Sequence, residues 1–212
     1  MLAWGLGSGQ EHDSVAGFFN ALRREDAVRG ELRQLLEALD ARWRTTARPS
    51  PLGLDIPLNL HGHYSRQEVI AAFGFATGAK PKITQGGVLW VPQAVSDVFF
   101  VDLLKAERDY SPTTMYRDYA ISRELFHWES QSRQSPRQPT VRRYIEHAER
   151  GTNVLLFVCE QRRDPLGTAA FHFLGPVSYV QHEGERPVAF TWRLQTPMPE
   201  ELFEVARSVA AV

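Results

Sequence analysis

Between Ser111 and Arg133 the chain gathers hydroxyls, amides, arginines and four large rings, Tyr116, Tyr119, Phe126 and Trp128. A core strand does not need so many donor and acceptor tips, and a solvated loop does not need so many rings. Aromatic faces beside polar edges and Arg forks suit a planar, hydrogen-bonding, anionic ligand such as a nucleotide. The competing reading is a polar turn followed by an edge strand whose rings pack inward, since aromatics are common core residues. The types alone leave both open.

The run from Ser130 to Ile145 holds no acid and carries Arg133, Arg137, Arg142 and Arg143. Such a run makes a phosphate track even on a protein of net charge −1. The candidate nucleic-acid-binding set is therefore Tyr116, Asp118, Tyr119, His127, Trp128, Ser130 and Gln131, with those four arginines. If a base is flipped out, Trp128 or Tyr116 would stack on it, and Asp118 or Glu129 would accept from cytosine N4.

Other chemistries find no support. The only lysines are Lys80, Lys82 and Lys105, and all other basic residues are arginines. None of the three lysines fits a phosphate-binding loop, a carboxylate-x-Lys nuclease or a His-x-Lys nuclease, and no G-x-S-x-G is present. Asp118, Glu124 and His127 lie close together and match none of these patterns, which leaves an active site of another kind there as a third reading. A single cysteine, Cys159, excludes an internal disulfide and a multi-cysteine zinc site. It lies in an apolar run and reads as a small buried hydrophobe. His61 and His63 have no companion ligand at helical spacing, so no metal or other cofactor is expected. The start has no basic-then-apolar pattern, and no window reaches the roughly 18 apolar residues of a membrane span, which suggests a cytoplasmic protein or part of one, without a membrane partner.

These side chains need a scaffold. Gly5 to Gly9 reads as a loose end. From Glu31 to Trp43, Leu32, Leu35, Leu36, Leu39 and Trp43 form one helical stripe, and Arg48 to Gly53 is a breaker cluster. Ser65 and Glu68 form a capping-box pattern before a short helix ending at Gly74. Val88–Val91 and Val98–Leu104 are spaced to pair as an antiparallel hairpin. Leu125–Gln131 alternates as a strand, Pro139–Arg150 reads as a helix, and Val154–Cys159 as a central strand covered on both sides. Asp164–Gly167 makes a turn. Ala169–Leu174 and Val177–Gln181 read as two short strands. Val188, Phe190, Trp192 and Leu194 share one face of another strand, and an amphipathic helix from Pro199 closes the chain. The expected class is α+β: a curved antiparallel sheet or small β-barrel with peripheral helices and an N-terminal helical segment.

Several ordered phrases carry a family resemblance: His61-Gly-His-Tyr-Ser-Arg-Gln-Glu68, Ser111 to Tyr119, Leu125 to Ser132, Leu155 to Val158, Phe173 to Pro176 and His182 to Pro187. Together they resemble the domain of unknown function 3427, over about residues 58 to 199. At Cys159 the family often has Arg, so no ligand role is carried over there. The resemblance implies the C-terminal part of bacterial superfamily II helicase proteins, many with a phospholipase-D-like nuclease, as in type IV restriction enzymes acting on modified cytosine. It implies residues 1–57 as a helical connector and linker and 58–212 as the recognition domain. The ATPase and nuclease would lie elsewhere, in the same or a neighbouring chain, and this chain would not itself be an enzyme. The expected role is a DNA-binding, target-recognition module for duplex DNA, sensing sequence or base modification. The alternative is a protein-interaction module that restrains a helicase or nuclease, favoured by the apolar stripe of Leu32 to Trp43.

Overall fold

The computed structural model of the chain describes residues 14–42, 56–74, 86–104, 118–131, 133–161, 163–164 and 167–209. The Gly5–Gly9 stretch, the 48–53 breaker cluster, the three lysines and the first part of the polar block, Tyr116 included, lie outside the described residues.

Two helices come first. Ser14 caps α1 (Val15–Arg24), its hydroxyl accepting from the Gly17 N–H at 3.0 Å. After Glu25, α2 runs Asp26–Arg42, starting earlier than the stripe suggested because Asp26 and Arg29 pair across its first turn. Of the stripe, Leu35 and Leu36 are 55% and 57% exposed among the described residues. A charge placed there therefore displaces no packing. Leu36→Asp should leave the thermal unfolding midpoint within about a degree, as for most surface changes. A drop of several degrees would show that this face is buried in the folded chain.

The remaining elements form an eight-stranded sheet with helices at its faces. β1 is His63–Tyr64. α3 (Arg66–Ala72) begins at the Ser65–Glu68 capping box, complete in both directions, and Gly74 ends it at φ 77°. β2 (Val88–Val91) and β3 (Ser96–Leu104) pair antiparallel around a short 3-10 turn, as their spacing predicts. β4 (Tyr119–Ala120), β5 (Leu125–Glu129) and α4 (Pro139–Ile145) follow, then β6 (Asn153–Gln161). A small separate hairpin, β7 (Arg163–Asp164) and β8 (Gly167–Thr168), precedes β9 (Phe171–Glu183), β10 (Ala189–Leu194) and α5 (Glu200–Ser208). The strand order is β2-β3-β6-β9-β10-β5-β4, with β1 added beside β9. The order begins at β2 and finishes at β4, so the sheet is open rather than a closed barrel.

Two details of the sheet differ from the sequence-based expectation. β3 and β6 pair parallel. The excursion through β4, β5 and α4 is long enough to return the chain in the same direction, as a parallel crossover requires. Second, the two short strands expected on either side of Gly175-Pro176 are one strand of 13 residues. Gly175 takes φ 85° and the register slips against Leu156/Phe157, so the pair forms a bulge instead of a break. A Cβ at Gly175 would stand 2.7 Å from Leu60 Cδ1, so both the backbone and the packing call for glycine.

β6 lies between two cores. Val154, Leu156 and Val158 face the larger one, with Phe99, Phe126, Trp128, Tyr144, Phe190, Trp192 and α5's Leu202 and Ala206. Leu155, Phe157 and Cys159 face the smaller one, with Val69, Phe73, Val98, Phe100 and Phe173. The apolar run is thus a strand covered on both faces. Cys159 is 1% exposed, and its thiol donates to Asp102 Oδ1 at 2.9 Å.

Candidate functional site

β5 decides where the polar block points. Its side chains alternate, so Phe126 and Trp128 turn inward while Leu125, His127 and Glu129 turn outward. Trp128 is 6% exposed, with its ring 4.3 Å from Phe99, 5.5 Å from Phe190 and 5.9 Å from Tyr144. Of the two arrangements open to the sequence, the core is the one formed. A base could reach this ring only by opening the large core, so base stacking is reassigned away from Trp128.

The outward face holds the other ring. Tyr119 of β4 lies opposite His127 of β5, and the two stack 4.5 Å apart at 11°. His127 pairs in register with Thr191 of β10, which pairs with Gln181 of β9. One row therefore crosses four strands: Tyr119, His127, Thr191, Gln181. Beside it, Leu125 pairs with Arg193, which is exposed, and on the other side Glu129 pairs with Ala189. The face offers an aromatic platform with a cation at one flank and a carboxylate at the other.

Other candidates have structural duties. Asp118 is 3% exposed and its Oδ1 accepts the Glu129 N–H at 2.9 Å, which ties the residue before β4 to the end of β5. Ser130 is fully buried: its hydroxyl accepts the Val188 N–H at 3.0 Å, and its own N–H donates to Val188 O at 2.9 Å. Of the two carboxylates expected to accept from cytosine, Glu129 is the one on the outward face. Gln131, Arg133 and Arg137 are exposed on the loop that leaves β5.

The last two arginines divide. α4 is shorter than expected and stops at Ile145, so Arg142 and Arg143 fall in its last turn, where the helix dipole favours cations. Arg142 is exposed and pairs with Glu146 at 2.7 Å. Arg143 instead forms a two-pronged pair with Asp97, Nε to Oδ2 and Nη2 to Oδ1, both at 2.7 Å, and lies over the Trp90 ring at 4.3 Å. The Asp97 side chain is fully buried. Arg143 is thus a structural partner rather than a phosphate contact. Burial raises the Asp97 pKa and outweighs the opposing pull of Arg143, while the bond to Asp97 raises that of Arg143.

Two histidines have partners that the sequence did not reveal. His147 was read only as part of a helix, yet it is 7% exposed and bridges β9 to the turn after α4. Its Nδ1–H donates to Thr152 O at 3.2 Å, and its Nε2 accepts the Tyr179 N–H at 3.0 Å. That pattern needs the neutral ring, and burial lowers its pKa accordingly. His63 lies against His172 across the β1–β9 pair. Among the described residues, no group of three or more His, Cys, Asp or Glu is placed to hold a metal ion. No helix among them is long and apolar enough to cross a membrane.

Residues 58–206 match the family described as Domain of unknown function (DUF3427), and the chain belongs to that family. Among solved structures it is similar to the 5-hydroxymethylcytosine-specific restriction enzyme AbaSI, with 15% identity and a TM-score of 0.34. That likeness covers 61% of this chain and 39% of the other, so this chain spans well under half of its length. No curated protein matches the chain.

Proposed function

We propose that this chain is a nucleic-acid-recognition module that binds duplex DNA and senses its sequence or a base modification, within a helicase or restriction-type defence system. The observation that carries this reading is the outward Tyr119–His127 stack, flanked by Arg193 on the sheet and followed by the exposed arginines of the β5–α4 loop. A ring platform supplies stacking that any base can use, and arginines supply phosphate contacts that fix register. Glu129, outward beside the stack, is the group to accept from an exocyclic amine such as cytosine N4. The chain contributes recognition, and the ATPase and nuclease chemistry comes from partner domains in the same or a neighbouring chain.

The test is fluorescence anisotropy with duplexes carrying cytosine, 5-methylcytosine or 5-hydroxymethylcytosine across a salt series. Tyr119→Ala should lower affinity by roughly five- to 150-fold, from about 1–3 kcal/mol of stacking, and leave the fold intact because the ring is on the outer face. Arg133→Gln with Arg137→Gln should weaken every duplex alike and make the salt slope shallower by up to about two phosphate contacts. Absence of binding to any duplex at low salt would sink the proposal. It would leave the second reading, a protein-docking module, which the exposed Val28, Leu35 and Leu36 of α2 favour.

A further inference from the structure

The shape of the outward face limits the form in which a nucleic acid can use it. Its middle row, Tyr119, His127, Thr191 and Gln181, crosses β4, β5, β10 and β9. Neighbouring strands lie about 4.8 Å apart, so the row spans about 14 Å between its outer backbones. The other side of these strands faces the large core. Ala120, Trp128 and Trp192 pack there, and α5 closes it with Leu202 and Ala206. The rings of the outward face therefore stand on a two-layer slab, not on a thin ribbon.

A closed duplex does not fit such a surface. Its major groove is about 12 Å wide and admits one helix or a two-stranded ribbon, and its minor groove is about 6 Å wide. A slab of this width enters neither. Against the outside of a closed duplex it meets only phosphates and sugars, while the faces of the bases stay stacked on one another. Tyr119 and His127, 4.5 Å apart at 11°, form a platform, and a platform serves a base whose face is open. The neighbouring groups agree with that use. Gln181 is exposed on the same row as Thr191, and Glu129 and Glu183 lie on either side of the small Ala189. Together they supply donors and acceptors for base edges, which pairing occupies in a duplex.

We propose that the outward face takes unpaired nucleotides, so that a DNA target is held with its bases opened at Tyr119 and not as a closed duplex. This rests on the reading of the chain as a DNA-recognition module and specifies what that site accepts. Tyr119 stacks on the open base, and the exposed Arg193 meets the phosphate backbone beside it. Binding to a closed duplex then includes the cost of opening it, and a target that is already open is spared that cost.

Fluorescence anisotropy with the full chain and two probes of equal length tests this: a closed duplex, and the same duplex with a short run of central mismatches. Both carry the same number of phosphates, so the salt-dependent attraction cancels between them. The wild type should bind the mismatched probe more tightly, by about tenfold or more. Tyr119→Ala, checked for fold by circular dichroism, should bring that ratio close to one. Equal affinity of the wild type for the two probes, or tighter binding to the closed one, overturns the inference and leaves duplex recognition standing. A ratio that persists in the folded Tyr119→Ala variant overturns it too, because the mismatches then act through something other than the stack. No binding to either probe at low salt sinks the recognition reading itself, and this inference with it.

Discussion

Trp128→Ala is expected to lose about 3–5 kcal/mol of unfolding free energy, the range for a large buried aromatic replaced by alanine. The indole lies among Phe99, Tyr144 and Phe190, so its removal leaves a void where β3, β5, α4 and β10 meet. A domain of this size has a total stability of about 5–15 kcal/mol, so the variant should be close to unfolded at physiological temperature. Urea denaturation followed by circular dichroism reads the loss directly. Trp128→Phe keeps most of the buried area and should cost markedly less. The contrast with Tyr119→Ala is the informative part: one ring holds the fold and its neighbour on the adjacent strand faces out. An alanine variant at position 128 that melts like the wild type would remove Trp128 from the core.

The β5 alternation shows what the sequence could and could not reveal. Period two separates Phe126 and Trp128 from His127, and that separation is observed. Which face is buried was not legible, because both faces carry rings once Tyr119 is brought alongside by β4. β10 was easier, since Val188, Phe190, Trp192 and Leu194 all lie on one side and nothing apolar of that size competes on the other. β6 and the Ser65–Glu68 box were legible for the same reason, each being set by its own residues. What was hidden depends on distant partners. The parallel β3–β6 pair joins segments separated by more than forty residues, and local patterning cannot register it. The bulge at Gly175 keeps one strand continuous where a Gly-Pro pair reads as punctuation. Arg143 was read as a phosphate contact because its partner, Asp97, lies 46 residues earlier inside an apolar strand.

That pair carries the other large expected effect, and it is asymmetric. The Asp97 side chain has no exposure, whereas that of Arg143 keeps 24% and rests on Trp90. Arg143→Gln leaves a carboxylate buried without its cation and should cost about 3–5 kcal/mol at pH 7. Asp97→Asn leaves a guanidinium that still reaches solvent and still covers the indole, so it should cost clearly less. The pH dependence separates the causes. The folded pKa of Asp97 is raised by burial, and removing Arg143 raises it further. Between the unfolded and folded values the native state binds more protons than the unfolded one, so protonation of Asp97 stabilises the fold as pH falls through that window. Histidines with lowered folded pKa, His147 and His172, act oppositely and weaken both proteins as pH falls below about 6.5. Subtracting wild type from Arg143→Gln at each pH cancels the contribution of His172, whereas that of His147, which feels the Asp97 charge, cancels only in part. The difference should shrink as pH falls below 7 and Asp97 takes up its proton, and adding Asp97→Asn to Arg143→Gln should recover most of the loss at pH 7. A difference that stays constant with pH, or an Asp97→Asn variant as unstable as Arg143→Gln, would mean that the buried carboxylate is not the source of the effect.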